Sequence, residues 1–334
     1  MKIPQIGIIG CGSMGQSLVR AGTEAQIIRL HAAADPDNSS RQQFSQSYPQ
    51  ANLYGDAAEM LAAGGLDGVL VATPPFLRRQ YVDAILDAGL PVFVEKPLAL
   101  SVEDAVAMQE AARQRGLPLM VGHVLRLLQP FRTIIQEVRS GTLGAPLAVT
   151  ITRTCNGYGS FERSWRNQKE LAGNGLFEVS VHEFDFICEI FNAEPLRVSA
   201  LGTEVDTPRT NNDYRNSYSV HLDFGHGRIG HSWSSLEDAL GTGTGHVILE
   251  RGALRYDSWD GSLQRSQLHG EKTCIASEKL EKTNAIEEEI AMFSEAIGSG
   301  IAPALGAEDG VRAVKIAIAA GQSADAGGVP VTLT

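Results

Sequence analysis

The chain opens with a short apolar run, Gln5 to Ile9, that passes directly into a glycine-rich turn and then into a stretch of helical spacing. Apolar runs without alternation recur at Ile27 to Ala34, Val69 to Ala72, Pro91 to Val94 and Leu117 to Val121. Such runs predict parallel strands covered on both faces. Helical segments at Phe76 to Ala88 and Val102 to Arg115 lie between them, which gives a βαβ rhythm. Asp35 and Pro36 lead into a polar stretch through Gln50 to which the pattern assigns no element.

Near Gly122 the pattern changes. From Pro146 onward the strands lengthen and alternate, most clearly from Ser217 to Phe224, where every second residue is apolar. Further strands are predicted at Leu147 to Thr154, Leu196 to Gly202, Arg228 to Trp233, His246 to Glu250, Ala253 to Asp257 and Ser262 to Leu268. Alternation of this kind belongs to an antiparallel sheet with two unlike faces. One helix interrupts the series, Leu176 to Phe191, with Phe177, Val181, Phe184 and Ile187 at helical spacing after Gly173-Asn174-Gly175. Helices are also predicted at Ala285 to Ile297 and Glu308 to Ala324. With the glycine-rich turn after Ile9 reading Gly10-Cys11-Gly12-Ser13-Met14-Gly15, the expected architecture is an α/β Rossmann-type dinucleotide-binding domain over residues 1–121, followed by an α+β C-terminal domain over 122–334 with a large, mostly antiparallel open sheet.

A chain of 334 residues with 43% hydrophobic and 20% charged residues suits two globular domains. Its formal charge of −11 argues against nucleic acid as a partner, and no basic run appears. Cys11, Cys155, Cys188 and Cys274 are scattered without a C-x-x-C pair, as expected in a reducing compartment. Met1 to Pro4 lead straight into the first strand, and no apolar run approaches the ~20 residues of a membrane span. A cytoplasmic protein with no membrane association is expected.

The candidate chemistry begins at Gly10-Cys11-Gly12-Ser13-Met14-Gly15. In a dinucleotide cradle the first glycine permits the tight turn, the second lets a pyrophosphate approach the backbone, and the third lets helix and strand pack closely. Asp35, twenty residues after Gly15 at the end of the second apolar run, is placed to accept hydrogen bonds from the adenosine ribose. With Pro36 and Asp37 behind it and no adjoining Arg, it favours NAD over NADP. The turn Thr73-Pro74-Pro75 and the segment Glu95-Lys96-Pro97 both follow parallel strands. They therefore leave carboxyl ends of the sheet, where ligands bind.

These motifs, together with Ala72-Thr73-Pro74-Pro75, Gly173 through Asp185 and the closing Glu308 to Gly327 stretch, resemble the Gfo/Idh/MocA family of nicotinamide-dependent oxidoreductases over nearly the whole length. The resemblance implies NAD as cofactor and a sugar, cyclitol or related polyol as substrate, with Gly10, Cys11, Gly12, Ser13, Met14, Gly15, Asp35, Thr73, Pro74, Glu95 and Lys96 holding the cofactor. It also implies a cis Lys96–Pro97 bond. Three positions depart from the family's habit: Glu178 stands for a commoner Asp, Ser180 for Gly, and Arg78 for a His after the Pro-Pro turn.

Oxidising an alcohol needs a base for the hydroxyl proton while hydride leaves the same carbon. Glu178 and His182, spaced i, i+4, share a face of the expected helix, and Asp185 extends it. The roles expected are His182 as general acid/base, Lys96 as the cation that polarises the substrate oxygen, and Glu178 as the carboxylate that holds and charges them, the two basic roles being open to exchange. His123, Arg126, Tyr158, Trp165 and Asp185 are candidate substrate contacts, with Arg163 and Arg166 in the same loop as Tyr158 and Trp165. No metal site is expected: alternation sets His221 with Ser217, Ser219 and Asp223, but His231 with Ile229 and Trp233, predicting different faces. The leading function is an NAD-dependent dehydrogenase. The alternatives are a glycosidase using transient NAD-linked oxidation and a non-catalytic NAD-binding sensor. A homodimer or homotetramer is expected.

Overall fold

The structure, a computed structural model, describes residues 2–156, 165–203, 214–257, 262–270, 272–276, 280 and 284–333. The chain forms two compact units, one of Met1–Val124 with Asn284–Val311, the other of Leu125–Thr283 with Arg312–Thr334. Both are thus discontinuous, whereas the pattern along the chain assigned all of 122–334 to one stretch.

The first unit contains β1 (Gln5–Ile9), α1 (Ser13–Glu24), β2 (Arg29–Ala34), α2 (Asn38–Ser47), β3 (Asn52–Tyr54), α3 (Ala57–Ala63), β4 (Gly68–Val71), α4 (Arg78–Asp87), β5 (Val92–Glu95), α5 (Val102–Arg115) and β6 (Leu119–Gly122). All six strands are parallel, in the order β3-β2-β1-β4-β5-β6. The order reverses between β1 and β4, and the loops leaving their carboxyl ends frame a ligand crevice. Every residue of β4 is buried, as the unbroken apolar run requires. Periodicity missed α2 within the polar stretch after Pro36, and β3 and α3 just beyond it. In α2 only Phe44 is buried, so no apolar stripe announces it, and Asp37 caps it by accepting from Ser40 N at 2.8 Å. The edge strand β3 has only three residues.

The same unit takes α9 (Ala285–Ser299) from the far end of the chain. Gly22 of α1 leaves room for Ile290, Gly68 of β4 leaves room for Phe293 and Ile297, and the Phe93 and Phe293 rings meet edge to face at 6.0 Å. Helical spacing foretold this helix but carries no information about which sheet its apolar stripe would cover.

The second unit contains α6 (Phe131–Arg139), β7 (Pro146–Asn156), α7 (Lys169–Ala172), α8 (Val181–Phe191), β8 (Arg197–Thr203), β9 (Ser217–Asp223), β10 (Ile229–Ser235), β11 (Glu237–Leu249), β12 (Gly252–Tyr256), β13 (Leu263–Gln267), β14 (Lys272–Ile275) and β15 (Val331–Thr332), together with α10 (Ala307–Asp325) from Arg312 onward. Its nine-stranded sheet runs β14-β13-β12-β11-β7-β10-β9-β8-β15, with β10 and β7 parallel and the other pairs antiparallel. One face is covered by α8, whose Ile187 packs over Gly230 and whose Phe186 meets Phe131 at 5.1 Å. Ser323 of α10 accepts from Ala200 N at 2.9 Å and fixes that helix beside β8. The two-domain α/β plus α+β architecture is therefore the one expected, although β11 begins nine residues early, at Glu237 rather than His246, through the glycine- and threonine-rich run that masks its alternation.

The expectation about the histidines is corrected. His221 and His231 are directly paired across β9 and β10, so they share a face, and their rings stack at 4.7 Å. Residues opposed across an antiparallel ladder share a face whatever their neighbours along each strand are, and the Gly225-His226-Gly227 hairpin sets that register. Among the described residues no group of three or more His, Cys, Asp or Glu is placed to hold a metal ion.

Candidate active site

At the end of β1 the chain turns at Gly10, whose φ of +102° favours glycine; a Cβ there would stand 2.8 Å from the Ala72 carbonyl oxygen. A Cβ on Gly15 would fall 2.0 Å from the Gly10 oxygen, so α1 can press against the turn only because this residue is glycine. Gly12 faces open space, with nothing within 4 Å of a Cβ position. Among the described residues no side chain caps α1, and Gly12, Ser13 and Met14 are exposed while Cys11 and Gly15 are buried. An uncapped helix start carries free N–H groups and the positive end of the helix dipole, a site suited to a pyrophosphate.

Asp35 is held rigidly at the neighbouring strand end. Its Oδ2 accepts from Cys11 N at 2.8 Å and its Oδ1 from Asp37 N at 2.9 Å, which leaves further lone pairs on both oxygens. Arg41, the nearby cation, folds back to donate to the Asp35 carbonyl oxygen and to Asn38 Oδ1. Burial, then the charge of Asp35, pushes the Cys11 thiol up to about 12, so this cysteine is an inert part of the turn.

Thr73 follows β4 and is 7% exposed, and among the described residues its Oγ1 has no hydrogen-bond partner. Beside the open face of Gly12 and the bare helix start, this orphaned hydroxyl completes a set of groups that fit a dinucleotide. Arg78, itself buried, donates through Nε to the Thr73 carbonyl at 3.1 Å and through Nη1 to the Pro97 carbonyl, joining the turn after β4 to the turn after β5. Where the sequence shows only a departure from the family's usual His, the structure shows a brace. Lys96 is half-buried, its peptide bond to Pro97 is cis, and its N–H donates to Glu95 Oε2 at 3.2 Å. His123, one residue past β6, is fully buried.

In the second unit the Leu176 to Ser180 segment departs from the continuous α-helix expected over Leu176 to Phe191. Asn174 Oδ1 accepts from Leu176 N at 2.9 Å, and Leu176–Ser180 then winds as a wider π-helical turn before α8 begins at Val181. Ser180 is tied to Ser234 of β10, Oγ to Oγ, at 2.7 Å. Glu178 thus sits in the π-turn and His182 in the first turn of α8, half-buried and 6% exposed respectively. Such a widening is frequent at functional sites and is invisible to a 3.6-residue periodicity.

Asp185, fully buried, has both oxygens engaged by Arg126, through Nε at 2.7 Å and through Nη2. The third nitrogen of Arg126 reaches Glu189 at 2.9 Å, Arg139 reaches the other Glu189 oxygen, and Arg312 stands 4.0 Å from Asp185. Two residues that sequence reading offered separately as substrate contacts are thus partners in one buried network. Trp165 opens a short 3-10 turn, half-buried, with the Arg166 guanidinium 4.4 Å over its ring. Tyr158 and Arg163 lie outside the described residues.

Comparison with known proteins agrees with this geometry. Residues 5–123 match the model of the oxidoreductase family with an NAD-binding Rossmann fold, and residues 131–255 match the GFO/IDH/MocA C-terminal domain. The rhizopine catabolism protein MocA of Rhizobium meliloti is 31% identical over 192 residues, covering 57% of this chain and 58% of that protein. The D-apiose dehydrogenase of Paraburkholderia graminis is 27% identical over 217 residues, covering 64% of this chain and 56% of that one. In these alignments the chain spans a little over half the length of each curated relative. An oxidoreductase of Agrobacterium radiobacter, solved with NAD+, L-tartaric acid and magnesium, superposes with a TM-score of 0.87 over 98% of both chains at 21% identity, a likeness of fold. With each of its two principal segments matched by a model of the same family, the chain belongs to the GFO/IDH/MocA oxidoreductases, whose N-terminal domain is an NAD-binding Rossmann fold.

Proposed function

We propose that the chain catalyses hydride transfer between NAD(H) and a hydroxyl or carbonyl carbon of a sugar, cyclitol or related polyol. The observation that carries the reading is the cradle: an open face at Gly12, close packing at Gly10 and Gly15, and the unpartnered Thr73 hydroxyl beside them. The names of relatives such as D-apiose dehydrogenase support the substrate class. When bound, NAD supplies the hydride acceptor. The chain's own residues then hold the reactants and move the proton.

In this reading Asp35 accepts the ribose hydroxyls, and the N–H groups at the start of α1 hold the pyrophosphate. Thr73, Pro74, Glu95 and Lys96 line the cofactor from the ends of β4 and β5. His182 takes the substrate hydroxyl proton and returns it in the reverse direction, Lys96 favours the alkoxide that develops on the substrate oxygen, and Glu178 orients and charges this pair. Arg126 and Asp185 serve as a buried brace under α8 rather than as substrate contacts, because each satisfies the other. The face of the nine-stranded sheet that carries His221 and His231 also exposes Leu201, Ile229 and Ile248, and we assign it to self-association as a homodimer or homotetramer.

A screen of sugars, inositols and sugar acids with NAD+, followed by nicotinamide absorbance, tests the reading. Stoichiometric NADH formation with one of these classes is the expected result. Cleavage of a glycoside without net absorbance change would replace the dehydrogenase with the glycosidase, and NAD binding without turnover of any class would leave a sensor. A sharply monomeric mass in solution would remove the assembly proposal.

A further inference from the structure

Three consecutive glutamates, Glu287, Glu288 and Glu289, fall in the first turn and a half of α9, and only the last is buried, at 1% exposed. Its place follows from the way α9 lies along the parallel sheet. Ile297 packs on Gly68 at the start of β4, and Phe293, one turn earlier, meets Phe93 in the middle of β5. One further turn back, about 6 Å along the helix, is Glu289. Two residues on from Phe93, about 6.6 Å along β5 and on the same side of the strand, is Glu95. The matched steps carry the ladder from Ile297 and Gly68, through Phe293 and Phe93, to Glu289 and Glu95.

Glu95 is held where it is. It is 7% exposed, its Oε2 accepts the Lys96 N–H, and the same oxygen stands 3.4 Å from where a Cβ of Gly122 would be. Elsewhere α9 packs through Ile290 on Gly22 of α1 and through Phe293 and Ile297 on Gly68 of β4. The charge of Glu95 acts on Glu289, and among the described residues Glu289 Oε1 has no hydrogen-bond partner. An ionised carboxylate would leave a buried charged oxygen without a hydrogen bond and a second anion beside it, whereas the neutral acid avoids both costs.

We propose that Glu289 keeps its proton in the folded protein, so that the buried Glu95/Glu289 pair carries one negative charge and Glu95 stays the single anion behind the Lys96 turn. Burial, then the charge of Glu95, raises the Glu289 carboxyl well above the usual carboxylate range, in line with this geometry. Glu289 is thus a positioning residue that acts through Glu95: were it ionised, repulsion would act directly on the side chain that receives the Lys96 N–H. The protonation stands on the fold of the first unit alone, and its use at the site rests on the proposed function.

Infrared spectroscopy of the full chain reads the proton directly. At about pH 7 a carboxylic-acid C=O band is expected in the wild type and its loss in Glu289→Gln, which mimics the neutral acid. Stability against pH is the second reading. The folded state binds a proton that unfolded Glu289 releases above its ordinary value, so wild-type stability falls with rising pH until the raised value is passed, while the Gln variant is spared. The Tm of Glu289→Gln should therefore rise relative to wild type between about pH 5 and about pH 8. Absence of the band in wild type, its survival in the variant, or a Tm difference constant across that range overturns the proposal. Neither measurement uses substrate or NAD, so its failure is distinguishable from failure of the proposed function.

Discussion

The same substitution at two glycines three residues apart should give opposite results. Gly12 has φ −70° and ψ −172°, a conformation alanine adopts without strain, and its Cβ would meet nothing within 4 Å. Gly12→Ala should leave the fold intact and raise stability by up to about 1 kcal/mol, through the lost freedom of the unfolded chain. The new methyl would stand where a pyrophosphate approaches the backbone. Hydrogen bonds to charged groups are each worth roughly 1.5–3 kcal/mol, so loss of one such contact predicts an NAD+ Kd about 10- to 100-fold higher. At Gly15 the added Cβ falls 2.0 Å from the Gly10 oxygen, a backbone atom that moves only with the turn. Overpacking of this kind costs about 1–3 kcal/mol, or more, and exceeds the ~1 kcal/mol that alanine adds to a helix. At roughly 2–4 °C per kcal/mol for a unit of this size, Gly15→Ala should lower Tm by several degrees. Thermal unfolding and calorimetric titration with NAD+ read the two effects separately. A Gly12→Ala protein that binds NAD+ as wild type does, or a Gly15→Ala protein of wild-type stability, would refute the cradle.

Three further outcomes are expected. NAD should be preferred to NADP, since Arg41 is engaged by the Asp35 carbonyl and Asn38 and, in the proposed binding mode, the Asp35 carboxylate would repel a 2′-phosphate; equal Kd values, or tighter NADP binding, would contradict this. Arg126→Met should destabilise by about 3–5 kcal/mol, toward the lower figure because Arg312 stands 4.0 Å from Asp185, and a change below about 1 kcal/mol in denaturant unfolding would remove the brace. Arg78→Met leaves the buried carbonyls of Thr73 and Pro97 without this donor and should cost about 1–3 kcal/mol together with weaker NAD+ binding; NAD+ affinity and stability both unchanged would return Arg78 to an incidental contact.

Five of the six parallel strands were legible in the sequence because burial leaves little room for polar residues, whereas the exposed edge strand β3 was not, and Gly10, Gly12 and Gly15 were legible because each fills a distinct steric need. The π-turn at Leu176–Ser180 was not legible, since it inserts a wider turn into an apolar pattern that still reads as one helix. The pairing of Arg126 with Asp185 spans 59 residues, and no spacing rule connects them. Arg78 stood out only as a departure, and its partners are backbone carbonyls, which every residue has. Glu289 did carry a signal: it falls in register with Ala285 and Phe293 on the buried stripe of α9, where a charged side chain does not belong. The shared face of His221 and His231 was misjudged by comparing neighbours within each strand instead of partners across the ladder.

Hydride transfer with NAD(H), with Lys96 acting on the substrate oxygen, is tested most directly at Lys96 itself. Lys96→Met keeps most of the stem and removes the cation. With a substrate found by the screen, its steady-state kinetics should show kcat lower by roughly 10² or more with little change in NAD+ affinity. A kcat near wild type, with NAD+ binding and fold intact, would contradict the account and leave Lys96 a half-buried strand-end residue.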